Sequence, residues 1–181
     1  MQQAVRVLYG TASPSEAITS ATVEVDALDL DTFLRHVAEN APYAGIADVV
    51  YAPAGAPVWV QADEHSLEDV VTHVLRNAER YRPAGTPVTL ALSGLDEAMV
   101  ALAIHNTGPA IPEALLDKIF DYGVSDGAAN GGQGEGRGQG LFVARTYMAK
   151  MGGTITAANA AGGVTFTLRL PRAASRTSPS A

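Results

Sequence analysis

The stretch DYGVSDGAANGGQGEGRGQGLFVARTYMAKMGG, residues 121–153, runs a glycine-dense tract straight into an apolar helical pattern. Glycine lets consecutive amide N–H groups converge on an anion with no Cβ in the way. GRGQGLF (136–142) ends where a helix begins, so unpaired N–H groups and the positive end of a helix dipole meet at Gly140. On composition the tract reads either as a phosphate cover whose first part, Gly123–Glu135, is a mobile lid, or as a flexible linker. Two standard phosphate loops do not fit. The pattern G-x-x-x-x-G-K-[ST] is absent, and G-x-G-x-x-G fails because Leu141 and Val143 stand where its third glycine belongs. The helix over 139–151 stops at Gly152 and Gly153.

Working outward, GTITAAN (153–159) and GGVTFTLRLP (162–171) form a closing hairpin, and RAASRTSPSA (172–181) is too poor in apolar residues to pack. Upstream, TPVTLAL and AMVALAIH are strands paired across SGLDE, preceded by a helix from about Asp63 to Tyr81. IADVVYA and PVWVQA are short strands around the turn APAGAP. DLDTFLRHVAENAP carries Leu30, Phe33, Leu34, Val37 and Ala41 at helical spacing behind acidic residues, and Pro42 ends it. The first residues are helix-compatible, break at Gly10–Pro14, and lead into a strand around Ala21–Leu28. This order, strands in antiparallel pairs with helices laid over them, predicts an α/β protein: a two-layer sandwich whose mixed, largely antiparallel sheet is covered on one face by about three helices. Residues 1–20 read as a connector or the end of an upstream helix, 21–171 as one domain, and 172–181 as a disordered tail.

A chain of 181 residues with 47% hydrophobic content suffices for one core. The formal charge of −7 argues against a surface built for nucleic acid. Without cysteine there is no disulfide framework and no Cys-based zinc site, and a reducing cytoplasmic setting fits. His36, His65, His73 and His105 lack H-E-x-x-H spacing. No apolar run approaches the roughly 18–20 residues that span a bilayer, so this segment is expected to make no membrane contact.

Two polar clusters stand out. In DEHSLEDVVTHVLRNAERY, residues Leu67, Val70, Val71, Val74 and Ala78 form an apolar stripe, with His73, Asn77 and Arg80 three and four apart along its flank. Asn77 at that margin is either a satisfied packing residue or a ligand. Farther on, IHNTGPAIPEALLDKIF places Asn106, Gly108 and Pro109 just after a strand, a sharp turn beside a side chain that both donates and accepts hydrogen bonds.

Taken together, these pieces resemble the ATP-binding catalytic domain of bacterial sensor histidine kinases, the Bergerat-type fold shared with gyrase-type and MutL-type ATPases. HVLRNAERY is similar to the N box, HNTGPAIP to the G1 box, KIFDYGVS to the F box and GRGQGLFVAR to the G2 box, in family order from about Leu28 to Pro171. By this resemblance Asn77 coordinates Mg²⁺, which needs only one or two protein oxygens when it bridges phosphates. His73 orients water, metal or acceptor, and could accept a proton. Arg80 reaches the phosphates and the Tyr81 ring flanks the nucleotide. Asn106 stands where the family usually has the Asp that accepts a hydrogen bond from the adenine amino group; its carbonyl can still accept, without charge. Gly108 lets the adenine approach the backbone, with Ile104, Ile111 and Phe120 as apolar walls. Gly136, Gly138 and Gly140 carry phosphate-facing amides, Arg137 lies among them, and Leu141 and Phe142 anchor the helix.

The chemistry so implied is transfer of the γ-phosphoryl group of Mg-ATP to a histidine nitrogen, mostly by positioning and charge neutralisation. The implied partners are the protein's own dimerisation and phosphoacceptor domain, a response regulator receiver domain, and a second copy in a full-length homodimer. RHVAENAP around His36 lacks the H-E-L-R-x-P pattern of the phosphoacceptor and lies inside a domain helix, so His36 is rejected for that role. Competing readings are a transfer-deficient nucleotide-binding module, a gyrase-like or MutL-like clamp, which usually has Glu where His73 stands, and a kinase of the anti-sigma-factor type acting on Ser or Thr.

Overall fold

The computed structural model describes residues 14–94, 96–124, 138–160 and 162–174. Its elements are α1 (Pro14–Ser20), β1 (Asp26–Asp29), α2 (Leu30–Asn40), β2 (Val49–Tyr51), β3 (Trp59–Ala62), α3 (Glu64–Tyr81), β4 (Val88–Gly94), β5 (Met99–Thr107), α4 (Gly140–Lys150), β6 (Thr154–Ala160) and β7 (Gly163–Pro171). Single 3₁₀ turns cover Ala41–Ala44, Glu113–Leu115 and Lys118–Phe120.

Capping chemistry sets the starts of two long helices. Asp29 caps α2: one carboxylate oxygen accepts from the Asp31 N–H at 3.2 Å and the other from the Thr32 hydroxyl at 2.6 Å. Asp63 caps α3 by accepting from the Ser66 N–H at 2.8 Å and also holds the Glu24 N–H at 2.7 Å. Such caps are worth about 1 kcal/mol each. The apolar stripe of α3, Leu67, Val70, Val71, Val74, Leu75 and Ala78, is buried, and each fully buried Val or Leu contributes roughly 1.5–3 kcal/mol. A charge at Val71, which is wholly buried, would break that face.

Five strands form the main sheet in the order β2-β4-β5-β7-β6. Leu90, Ile104 and Phe166 share one cross-strand row, and Leu102, Leu168 and Ile155 another. All six are buried toward the helices, while the alternating positions Ala91, Thr167 and Thr156 are not, which is the pattern of a sheet covered on one face. The two-layer α/β architecture is the one the sequence predicts. Pairing differs from a plain succession of antiparallel hairpins: β2 lies parallel to β4, and β3 leaves the sheet to pair antiparallel with β1. The cause is α3, the crossover element that parallel neighbours require.

Three local features differ from the sequence reading. Pro14 opens α1 instead of breaking the chain, because its fixed φ suits a first turn and its missing N–H is one a helix leaves unpaired there. The strand expected around Ala21–Leu28 is confined to Asp26–Asp29. Beyond β7, the Arg172 N–H donates to the Ala98 carbonyl at 2.8 Å and the Ala173 N–H to the Trp59 carbonyl at 3.0 Å, so the start of the predicted tail is hydrogen-bonded to two other elements. Residues 175–181 lie outside the described residues.

Polar anchors fasten the periphery. Asp31 is fully buried. It accepts from the Tyr51 hydroxyl and the Ala54 N–H, both at 2.6 Å, and from the Arg35 guanidinium. The Tyr51 and Arg35 bonds hold its carboxyl at about 2, so this corner keeps its charge throughout the neutral range. The Lys150 ammonium, at the negative end of α4, donates to the Ile18 carbonyl at 3.1 Å and to the Ala21 carbonyl, tying α1 to α4. Among the described residues no helix is long and apolar enough to cross a membrane.

Candidate functional site

The site grows out of one flank of α3. His73, Asn77 and Tyr81 recur every four residues, which places them one above another along about 12 Å of helix. All three are half-buried. Arg80 is exposed, and its guanidinium lies 5.3 Å from the centroid of the Tyr81 ring, a cation–π contact. Arg82 pins the end of this helix: its side chain is 4% exposed, Nε donates to Glu79 at 2.8 Å and Nη2 to the Ala47 carbonyl at 2.9 Å.

At the Tyr81 end, β5 delivers Asn106 and Gly108. Asn106 is 3% exposed and its Nδ2 donates to the Thr107 carbonyl at 2.9 Å. That bond uses one of the two Nδ2 hydrogens and orients the carboxamide, whose oxygen end is the acceptor. Gly108 has φ of 150°, and a Cβ there would stand 2.7 Å from the Tyr81 carbonyl oxygen. Only glycine allows the backbone so close to the helix end. Ile111 is half-buried against the core edge.

At the His73 end, α4 begins. A Cβ on Gly140 would stand 2.9 Å from Nδ1 of His73, so the first turn of α4 lies directly on the α3 flank. Among the described residues no side chain caps α4 at Gln139, and a helix start presents amides that the helix itself does not pair. Gly138, with φ of 60°, accepts from the Gly123 N–H at 3.1 Å, which brings the two chain ends flanking residues 125–137 together. The Tyr122 ring stands edge-on to Phe142 at 5.3 Å, Gln139 Nε2 donates to the Tyr122 hydroxyl at 3.0 Å, and Arg145 pairs with Asp121 at 3.2 Å. Burial lowers the pKa of His73, against the pull of Asp69 and with the push of Arg76. Burial thus favours the neutral form of its imidazole.

The structure thus sets Gly140 against His73 and Gly108, with Asn106 beside it, against Tyr81, at the two ends of the helix flank that carries Asn77 between them; Gly138 lies against Gly123 and Val124, and Leu141 packs on the core. Ile104 and Phe120 are taken up by the core: they are 1% and 3% exposed, and the Phe120 ring stands edge-on to Phe166 at 6.2 Å. Gly136, Arg137 and the lid expected over Gly123–Glu135 lie outside the described residues, apart from Gly123 and Val124. A separate cavity of about 190 Å³ between α2 and α3 is floored by Phe33, Ile46 and Leu75, and no expected site residue lines it.

The residues present fit a magnesium nucleotide. A helix start with uncapped amides suits phosphate. Among the described residues no cluster of three or more His, Asp or Glu side chains is placed to hold a metal, and a lone Asn oxygen suits Mg²⁺, which takes most of its ligands from water and phosphate. Sequence reasoning missed the role of the β6–β7 hairpin. Gly162 accepts from the Gly108 N–H at 3.2 Å, a Cβ on Gly163 would stand 1.9 Å from the Asn106 carbonyl oxygen, and Asn159 bonds Ile111. The signal available was the Asn and Gly pair bracketing a turn.

Residues 62–174 match the family described as histidine kinase-, DNA gyrase B-, and HSP90-like ATPase. Among curated proteins, the signal transduction histidine-protein kinase AfsQ2 of Streptomyces coelicolor is 29% identical over 186 residues, covering 95% of this chain and 33% of AfsQ2. Among solved structures, full-length ShkA in complex with AMPPNP superposes with a TM-score of 0.72 at 24% identity, covering 89% of this chain and 35% of ShkA. The mycobacterial sensor histidine kinase MprB gives 0.69 at 23% identity, covering 82% of this chain and 98% of the MprB chain. The chain spans a third or less of the curated relatives it matches. Helix flank, buried Asn turn and uncapped helix start occur together within a stretch that carries the family match, and the chain belongs to the histidine kinase-, DNA gyrase B- and HSP90-like ATPase family.

Proposed function

We propose that this chain is the ATP-binding catalytic domain, residues 21–171, of a cytoplasmic sensor histidine kinase, and that it hands the γ-phosphoryl group of Mg-ATP to a histidine on a dimerisation domain. The observation that carries this reading is the double contact along α3, with Gly140 against His73 and Gly108 against Tyr81. Asn106 Oδ1 accepts from the adenine amino group, and Gly108 and Ile111 receive the ring. Arg80 and the α4 amides neutralise phosphate charge. Asn77 holds Mg²⁺, whose chemistry is to neutralise and orient the phosphate oxygens. His73, at the phosphate end, takes a proton as the acceptor nitrogen bonds to phosphorus and ADP leaves. The phosphoacceptor belongs to a paired-helix domain in a homodimer, and the phosphoryl group then passes to a response regulator receiver domain.

Calorimetric titration with ATP, with and without Mg²⁺, tests the binding half. Micromolar to millimolar affinity that depends on Mg²⁺ is expected, with that dependence reduced in Asn77→Ala, which removes the ligand oxygen. Undiminished Mg²⁺ dependence removes Asn77 as the ligand. Incubation with an added dimerisation domain should give an acid-labile phosphoprotein, whereas acid-stable phosphate on Ser or Thr overturns the assigned acceptor.

A further inference from the structure

Asn106, Val164 and Asn159 form one cross-strand row, with Asn106 at the buried centre of the sheet and Asn159 on its edge strand β6. The Asn159 carboxamide bonds both polar groups of one residue: Oδ1 accepts from the Ile111 N–H at 2.8 Å and Nδ2 donates to the Ile111 carbonyl at 2.7 Å. The donor and acceptor of Ile111 permit only this orientation of the amide. It is the two-bond exchange that an antiparallel neighbour strand makes, supplied here by a side chain. The same hairpin holds the loop at its other end, where the Gly108 N–H donates to the Gly162 carbonyl at 3.2 Å. The loop that leaves Asn106 is therefore fastened to the β6–β7 hairpin before and after Pro109 and Ala110.

We infer that Asn159 is a positioning residue for nucleotide recognition: by clasping the Ile111 backbone it holds the loop from Asn106 to Ile111 in its base-receiving form. The inference rests on the nucleotide-binding reading above. Asn159 itself is exposed, touches Ile111 from outside the site and makes no contribution to the core. Removing it leaves the fold intact and leaves the α4 end, on the far side of the α3 flank, unaltered. Its loss must therefore appear at the base and be absent at the phosphates. A merely structural residue would move both or neither.

The test compares Asn159→Ala and Asn159→Asp with the unaltered chain, using ATP and inorganic tripolyphosphate, each with Mg²⁺, in calorimetry. Alanine removes both bonds; aspartate keeps an acceptor for the Ile111 N–H and sets an oxygen against the Ile111 carbonyl. Two lost hydrogen bonds correspond to a fall of about tenfold in ATP affinity, with tripolyphosphate affinity unchanged. Hydrogen exchange at the Ile111 amide supplies a readout that needs no nucleotide: it should speed up in Asn159→Ala and stay slower in Asn159→Asp. Equal losses for both ligands, or unchanged ATP affinity with a freed Ile111 amide, overturn the positioning role. If the unaltered chain binds neither ligand, the nucleotide reading falls and the inference falls with it, whereas binding by the unaltered chain with no change in the variants sinks the inference alone.

Discussion

The two ends of the α3 flank are built by different physics. At the Tyr81 end, loop and helix meet where strand register and hydrogen bonds leave no freedom: Asn106 is buried in the β5–β7 ladder, Gly163 lies against its carbonyl, and Gly162 and Asn159 hold the loop. At the His73 end, the start of α4 is held by Gly140 against the imidazole, by the backbone bond between Gly138 and Gly123, and by side chains, Tyr122 against Phe142 and Asp121 with Arg145. In the proposed site the base end is therefore held by a strand ladder and the phosphate end by helix packing and side-chain contacts. The comparison teaches that the two ends of one helix flank can be fixed by different kinds of contact.

The same added methyl group tests both ends. Gly163→Ala puts a Cβ 1.9 Å from a backbone oxygen of the central strand, which cannot move without breaking the ladder. A loss of about 3 kcal/mol in chemical denaturation is expected, near the upper range for overpacking. A loss below about 0.5 kcal/mol would mean that the base end yields as readily as the other.

Gly140→Ala meets only the His73 ring, which can turn away. Stability should change by less than about 1 kcal/mol, since alanine also favours the helix. Affinity for Mg-tripolyphosphate should nevertheless fall several-fold, because His73 and the first amides of α4 shift together. Unaltered affinity would separate the start of α4 from the phosphates.

The smallest effect is one of pH. His73 has a lowered pKa because burial disfavours its charged form, so the unfolded chain binds the proton more readily than the folded one. Its contribution to stability is complete above the ordinary histidine value of about 6.5 and is lost as pH falls below it. In urea unfolding the unaltered chain should therefore lose stability relative to His73→Asn as pH falls through that window. Parallel curves would show that the imidazole is equally solvated in both states.

Much of this was legible in the residues. The periodicity of Leu67, Val70, Val71 and Val74 located α3 and its buried face, and the acidic residues around Asp29 suited a helix start, because side-chain burial and capping act within a few residues. Asn106 and Gly108 were recognisable as a turn. What stayed hidden was long-range. The departure of β3 to pair with β1 depends on partners distant in the chain, Asp26↔Ala62 among them. Asn159 carries no local signal that distinguishes a turn residue from a clasp on Ile111, 48 residues earlier. Phe120 read as a pocket wall, yet the Phe166 ring draws it into the core.

Local chemistry therefore settled most of the elements, the family resemblance and the flank that carries His73, Asn77 and Tyr81, because helix period, caps and turns are properties of neighbouring residues. The assembly of that flank with the Asn106 turn and the Gly140 helix start was decided by folding in three dimensions. Contact between Gly108 and the Tyr81 carbonyl, or Gly140 and the His73 ring, comes from sheet register and helix packing, which join residues that no spacing in the chain relates.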